Sequence, residues 1–130
     1  MAPVVLDCSV VVDVLAGADR AHLARRVAHD DWHAPMLLDH EVVAALRGLV
    51  LGGHLTPGRA VDALVDLADL PITRWQVDVV TQRRALALRD RVTAYDAAYL
   101  VCAEGIDGAL VTRDRRLARA AAELVEVRLL

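Results

Sequence analysis

The sequence predicts an α/β sandwich around a parallel sheet, on three observations. Short aliphatic runs alternate with segments of helical pattern, taken singly or in pairs, as strand–helix–strand units require. Hydrophobic residues make up 56% of the chain, yet only 3% are aromatic and there is no Phe. Strands buried on both faces of a parallel sheet have that aliphatic character. The 130 residues contain no repeat, linker or low-complexity stretch, which suits one domain over 1–130, and so high a hydrophobic content excludes disorder.

The elements follow in order. Val4–Leu6 is a short apolar run stopped by Asp7, a buried strand. Ser9 is placed to cap a helix through about Ala16, with Gly17 ending it. A second helix is expected from about Asp19 to Ala28. Trp32–Ala34 reads as a brief strand closed by Pro35. Leu37–Leu51 is a strongly patterned helix ending in Gly52-Gly53. Thr56-Pro57 supplies a cap and a proline at the first helical position, opening a helix to about Ala68. Pro71–Trp75 reads as a strand, Asp78–Arg89 as a helix, and Thr93–Glu104 as another ended by Gly105. Ala109–Thr112 is a clear apolar strand. A helix from about Arg115 to Ala122 and a last strand at Val125–Leu129 complete the chain.

Composition narrows the function. The formal net charge is −3, from 18 acidic and 15 basic residues, which does not announce a nucleic-acid binder. All 15 basic residues are Arg and none is Lys. Arginine binds phosphate bidentately, so the set is compatible with RNA, but genomic base composition is the preferred explanation. Two cysteines, Cys8 and Cys102, make no disulfide framework and read as small core residues. The first residues lack the pattern of a signal peptide and no apolar stretch is long enough to span a bilayer. The expectation is a soluble cytoplasmic protein with no membrane partner.

Four acids are candidates, and two of them stand where α/β sheets build their sites, at the carboxyl ends of strands. Asp7 ends the first strand and Asp114 follows the fourth; Asp7-Cys8-Ser9 also reads as a turn, and Asp114 as a helix cap assisted by Thr112. Glu41 sits among Leu37, Leu38, Ala44 and Ala45 on an apolar helical face. A carboxylate buried there needs a partner such as a cation. Asp96 has Val92, Tyr99 and Leu100 as helical neighbours, although Thr93–Asp96 also reads as a capping box. An all-carboxylate set suits Mg²⁺, with Mn²⁺ as a substitute, and argues against Zn²⁺. None of the histidines, His22, His29, His33, His40 or His54, stands at zinc spacing. Tyr95, Tyr99, Trp32 and Trp75 read as core or interface packing.

In this order the acids and their surroundings resemble the PIN-domain family. Asp7-Cys-Ser9 resembles its first motif, Ala34–Arg47 the segment around Glu41, Thr93–Glu104 the third and Leu110–Ala120 the fourth, so the resemblance covers nearly the whole chain. The compact length points to the VapC toxins of VapBC toxin–antitoxin pairs. The resemblance implies a three-layer α/β/α sandwich with a central parallel sheet and a metal site from Asp7, Glu41, Asp96 and Asp114, with Ser9 and Thr112 as supporting polar residues. It further implies a homodimer, a VapB-like antitoxin that blocks the site, and Mg²⁺-dependent cleavage of RNA by a metal-activated water, leaving 5′-phosphate and 3′-OH ends. Some relatives carry an Asp where Leu117 stands here. Arg113, Arg115, Arg116 and Arg119, which surround the fourth acid, are candidates for RNA phosphate contacts, or simply a solvated helix face.

Rival readings make distinct demands. Aspartyl-phosphate phosphatases want a second Asp where Ser9 stands, and they and the receiver domains use a Lys this chain lacks. A catalytically silent PIN-fold binding module is expected to lose acids that are all present here. A metal-dependent nuclease acting on DNA is expected to carry additional helices. Surplus apolar surface on the helices Leu37–Leu51 and Thr56–Ala68 is a candidate dimer or antitoxin groove.

Overall fold

The computed structural model describes residues 1–130. Five strands and seven helices follow one another as β1 (Pro3–Leu6), α1 (Cys8–Ala16), α2 (Arg20–Val27), β2 (Asp31–Pro35), α3 (Leu37–Leu51), α4 (Pro57–Asp69), β3 (Ile72–Trp75), α5 (Val79–Ala87), α6 (Ala94–Ile106), β4 (Ala109–Thr112), α7 (Arg115–Ala121) and β5 (Val127–Leu129). Every expected element is present. All strand pairs are parallel and the sheet order is β3-β2-β1-β4-β5. The chain therefore builds outward from β1 to β3 and then returns to the other side of β1 with β4. The switch point lies between β1 and β4, in register Val4↔Ala109, Val5↔Leu110 and Leu6↔Val111, and α/β sheets place their sites at such a point.

The helices form the two outer layers of a three-layer α/β/α sandwich. α1 packs on α2, α3 and α4, while α6 packs on α5 and lies across β1, β2 and β4. Right-handed crossovers account for the division: strands added towards β3 put α1–α4 on one face, and the reversal to β4 and β5 puts α5–α7 on the other. Val4, Val5, Leu6, Leu110 and Val111 are at most 1% exposed, because the central strands are covered from both sides. They anchor one cluster of 27 buried hydrophobic residues.

Three local readings need correction. Ser9 does not cap α1. The helix begins two residues earlier than such a cap requires, at Cys8, with Asp7 at the cap position and no side-chain cap bond. The Ser9 hydroxyl instead turns back to donate to the Asp7 carboxylate. Gly105 does not end α6. The helix continues to Ile106 and closes through Asp107 in the left-handed region, φ 52°, a conformation that Asp tolerates better than most side chains. The glycine this junction needs is Gly108, where a Cβ would stand 2.7 Å from the Pro3 carbonyl oxygen of β1. The last strand starts at Val127 rather than Val125 because Leu124 and Val125 still bond back to the Ala121 carbonyl oxygen. Elsewhere the expected signals act as read: Thr56 accepts from the Arg59 N–H with Pro57 at the helix start, and Asp78 with Thr81 forms a capping box on α5.

Candidate active site

Apart from hydrophobic residues, just two side chains of the protein are buried, Asp7 (7% exposed) and Thr112 (0%). They end the two strands that flank the switch point. The Asp7 N–H donates to the Val111 carbonyl oxygen across the β1–β4 ladder, so strand pairing carries the carboxylate to its place. Its Oδ2 accepts from Thr112 Oγ1 at 2.8 Å and from Ser9 Oγ at 2.7 Å. Two hydroxyl donors offset much of the cost of removing a carboxylate from water. Ser9 Oγ also accepts from the Arg113 N–H, and Thr112 Oγ1 from the Asp114 N–H. The loop after β4 is thereby knitted to the start of α1.

The other three acids attach to this centre through their own partners. Asp114 caps α7, its Oδ1 accepting from the Arg116 and Leu117 N–H groups. Asp96 lies in the first turn of α6, where Thr93 accepts from its N–H. Its carboxylate does not return that bond, so half of the expected capping box forms. Asp96 Oδ2 faces Arg116 Nη2 at 3.2 Å, and the same guanidinium lies 3.7 Å from Asp114 Oδ2. Glu41, on the partly covered side of α3, accepts a 2.6 Å hydrogen bond from the Tyr99 hydroxyl through Oε1.

A common pattern results. Each acid commits one oxygen to hydrogen bonds within the protein, namely Asp7 Oδ2, Glu41 Oε1, Asp96 Oδ2 and Asp114 Oδ1. Each keeps the other free of them. No buried side-chain oxygen lacks a partner, so these free oxygens are in reach of solvent. Asp7, Asp114 and Asp96 are linked through Thr112 and Arg116 while Glu41 is held separately by Tyr99, and no three His, Cys, Asp or Glu side chains form a ready ligand cluster. Such a donor set fits a hard, largely hydrated cation, because Mg²⁺ retains several waters and takes one or two carboxylates directly. It does not fit zinc, which wants nitrogen or sulfur in a closed array. Burial and the neighbouring Glu41, Asp7 and Asp13 carboxylates push the Cys8 thiol up to about 12, and burial pushes Cys102 to about 11. Neither thiol is a nucleophile at neutral pH. His33 is held between Asp31 (Nε2 to Oδ2, 2.8 Å) and the Trp75 indole N–H, which donates to Nδ1 at 3.0 Å.

The four arginines divide. Arg113 is half-buried and paired with Asp13 of α1, Nη1 to Oδ2 at 2.9 Å; it clamps the loop. Arg116 covers Asp96 and Asp114. Arg115 and Arg119 are exposed on α7. Sequence reasoning missed the Asp13–Arg113 clamp and the polar use of Tyr99. Tyr99 is indeed core, 1% exposed, but a buried phenol needs an acceptor and an acid on an apolar face needs a donor. Pairing those two unmet needs was the available signal.

Fold and site together define an open-sheet α/β protein with a buried carboxylate, Asp7, at the switch point. The family model described as PIN domain matches residues 4–123. Ribonuclease VapC12 of Mycobacterium tuberculosis is 35% identical over 127 residues, 97% of this chain and 98% of that protein. Ribonuclease VapC3 of the same species is 39% identical over 119 residues, 90% of this chain and 86% of that one. The chain belongs to the PIN-domain family, in its VapC branch. The fold agrees: PAE2754 from Pyrobaculum aerophilum superposes with a TM-score of 0.72 at 21% identity, covering 96% of this chain and 83% of that one. VapBC2 from Rickettsia felis, bound to a DNA fragment from its promoter, gives 0.69 at 10% identity, with 97% of each chain covered.

Proposed function

We propose that this protein is a metal-dependent endoribonuclease, the toxin of a toxin–antitoxin pair. The observation that carries the reading is the buried Asp7 at the switch point, with Asp114 and Asp96 joined beside it through Arg116 and Glu41 held by Tyr99, each acid keeping one oxygen free of hydrogen bonds. The relatives named ribonuclease supply the substrate class. Asp7 and Asp96 would hold the Mg²⁺ most directly, with Glu41 and Asp114 acting directly or through water. When bound, the ion supplies Lewis-acid stabilisation of phosphate charge and a water of lowered pKa.

The chain's own residues set the stage for that chemistry. Ser9 and Thr112 hold Asp7 oriented by donating to Oδ2. Glu41 Oε2, or Asp114 Oδ2 beside the Arg116 guanidinium, would orient the attacking water and accept its proton. Attack in line with the leaving oxygen breaks the P–O3′ bond and leaves 5′-phosphate and 3′-OH ends. Arg116, drawn between Asp96 and Asp114, offsets the negative charge that would repel an RNA backbone, and exposed Arg115 and Arg119 extend the positive rim.

Two partners belong to this reading. Val43, Leu51, Val61 and Val65 on α3 and α4 are 45–70% exposed, an apolar surface of the kind a VapB-like antitoxin covers. A groove of about 590 Å³ between β3, α5 and α6, lined by Trp75, Val77, Leu86 and Tyr95 among others, supports a homodimer. A monomer by light scattering at micromolar concentration would remove the dimer. No helix is long and apolar enough to cross a membrane, and the proposed compartment is the cytoplasm, where RNA is.

The test is cleavage of total cellular RNA in Mg²⁺ by wild-type protein, EDTA-treated protein and Asp96→Asn. Cleavage by the first alone, with 5′-phosphate ends, is expected. Full activity of Asp96→Asn would sink the scheme. Cleavage of single-stranded DNA but not RNA would move the substrate, and divalent-ion binding to neither protein would leave a silent binding module.

A further inference from the structure

Tyr99 has a role that its packing does not explain. It is the largest of the fully buried side chains, and its ring lies within the aliphatic core, as its 1% exposure requires. A phenol so deeply buried needs a hydrogen-bond partner within the protein. Its one acceptor is Glu41 Oε1, at 2.6 Å.

Tyr99 also stands three residues after Asp96 on α6, whereas Glu41 is on α3, 58 positions away in sequence. α3 and α6 lie in opposite outer layers, so this bond passes the end of the sheet and joins two of the four acids through one rigid element. Glu41 has three rotatable side-chain bonds, and no other hydrogen bond or ion pair of the structure holds its carboxylate. Left alone, it would lose entropy on engaging a cation or water.

We propose that Tyr99 is a positioning residue: its hydroxyl locks Glu41 Oε1 so that Oε2 is held ready for the cation or its water. This rests on the nuclease reading for its consequence in catalysis, but not for its consequence in ion binding. Partners that orient a metal ligand without touching the metal alter affinity or activity by about 10- to 100-fold when removed.

The experiment is Mn²⁺ titration of metal-free protein by isothermal calorimetry, with no RNA present, in wild type, Y99F, E41Q and the double variant Y99F/E41Q. Thermal melts run in parallel. If Tyr99 acts through Glu41, Y99F weakens Mn²⁺ by about tenfold, and the same change has no further effect once Glu41 is Gln. A purely structural phenol gives the opposite result: Y99F lowers the melting temperature and leaves affinity unchanged, or lowers affinity equally in both backgrounds, and either overturns the proposal. Should Y99F fail to fold, E41D makes the same test, since the shortened carboxylate loses its reach to Tyr99 while the core is untouched; unchanged Mn²⁺ affinity in E41D overturns it. Wild-type protein that binds no Mn²⁺ overturns it as well. Mn²⁺ binding with the expected cycle but no RNA cleavage leaves Tyr99 in this role and sinks only the ribonuclease reading.

Discussion

Acidic residues gather at both ends of the sheet, and the two gatherings are held in different ways. At the amino ends of β4 and β5, Glu104, Asp107, Glu123 and Glu126 surround a shallow depression. All four are exposed. Glu104 spends both oxygens on Arg84, and Glu123 is paired with exposed Arg91. At the carboxyl ends, Asp7 is buried, its donors are the buried Thr112 hydroxyl and the half-buried Ser9 hydroxyl, and each acid keeps one oxygen free of hydrogen bonds. The number of carboxylates is equal. What separates the two regions is rigid orientation combined with a ligand atom left over, which surface ion pairs do not provide.

Substitutions should divide along the same line. The largest effect is expected for Asp7→Asn. The amide oxygen can still accept from Ser9 and Thr112, so the melting temperature should hold or rise, whereas cleavage should fall by more than about 100-fold, beyond the range typical of outer partners. A cleavage assay beside a thermal melt checks both, and an active variant would erase the distinction between the two ends.

Thr112→Val keeps the side chain's shape but takes one donor from Asp7 and the acceptor from the Asp114 N–H. Leaving such groups unmatched costs about 1–3 kcal/mol, readable in urea unfolding, and activity should fall with it. Arg113→Ala opens the half-exposed Asp13 clamp. Its cost in stability is expected to be about 1 kcal/mol or less, with a larger relative loss of cleavage because the β4–α7 loop carries Asp114. Smallest of all, Glu104→Gln at the amino end should change stability by less than about 1 kcal/mol and leave cleavage unchanged. A loss of activity there would show that acid content, not architecture, governs this protein.

Much of this was legible in the sequence because the relevant signals are local. Aliphatic runs, caps and the Thr56-Pro57 start depend on residues a few positions apart, and all twelve elements followed from them. The family resemblance was readable for the same reason: each motif is a short string around one acid. Where local reading failed, a neighbour distant in sequence had taken over. Ser9 reads as a helix cap because Ser is a good one, yet its hydroxyl donates to the Asp7 carboxylate and its oxygen accepts from the Arg113 N–H, 104 positions away. Gly105 was read as a helix end, but the backbone of β1 at Pro3 demands the glycine at 108 instead.

The sequence by itself determined which acids there are, the α/β alternation, and the hydrophobic periodicity that makes each helix face the sheet. Tertiary structure alone decided which oxygen of each acid is spent and on what. Asp7 and Thr112 lie 105 residues apart and meet because β4 pairs with β1, an adjacency no local pattern encodes. The Tyr99–Glu41 bond exists for the same reason, since opposite layers meet only when the sheet between them is complete. Periodicity is a property of neighbouring residues, whereas the satisfaction of a buried polar group is settled by the whole packed chain.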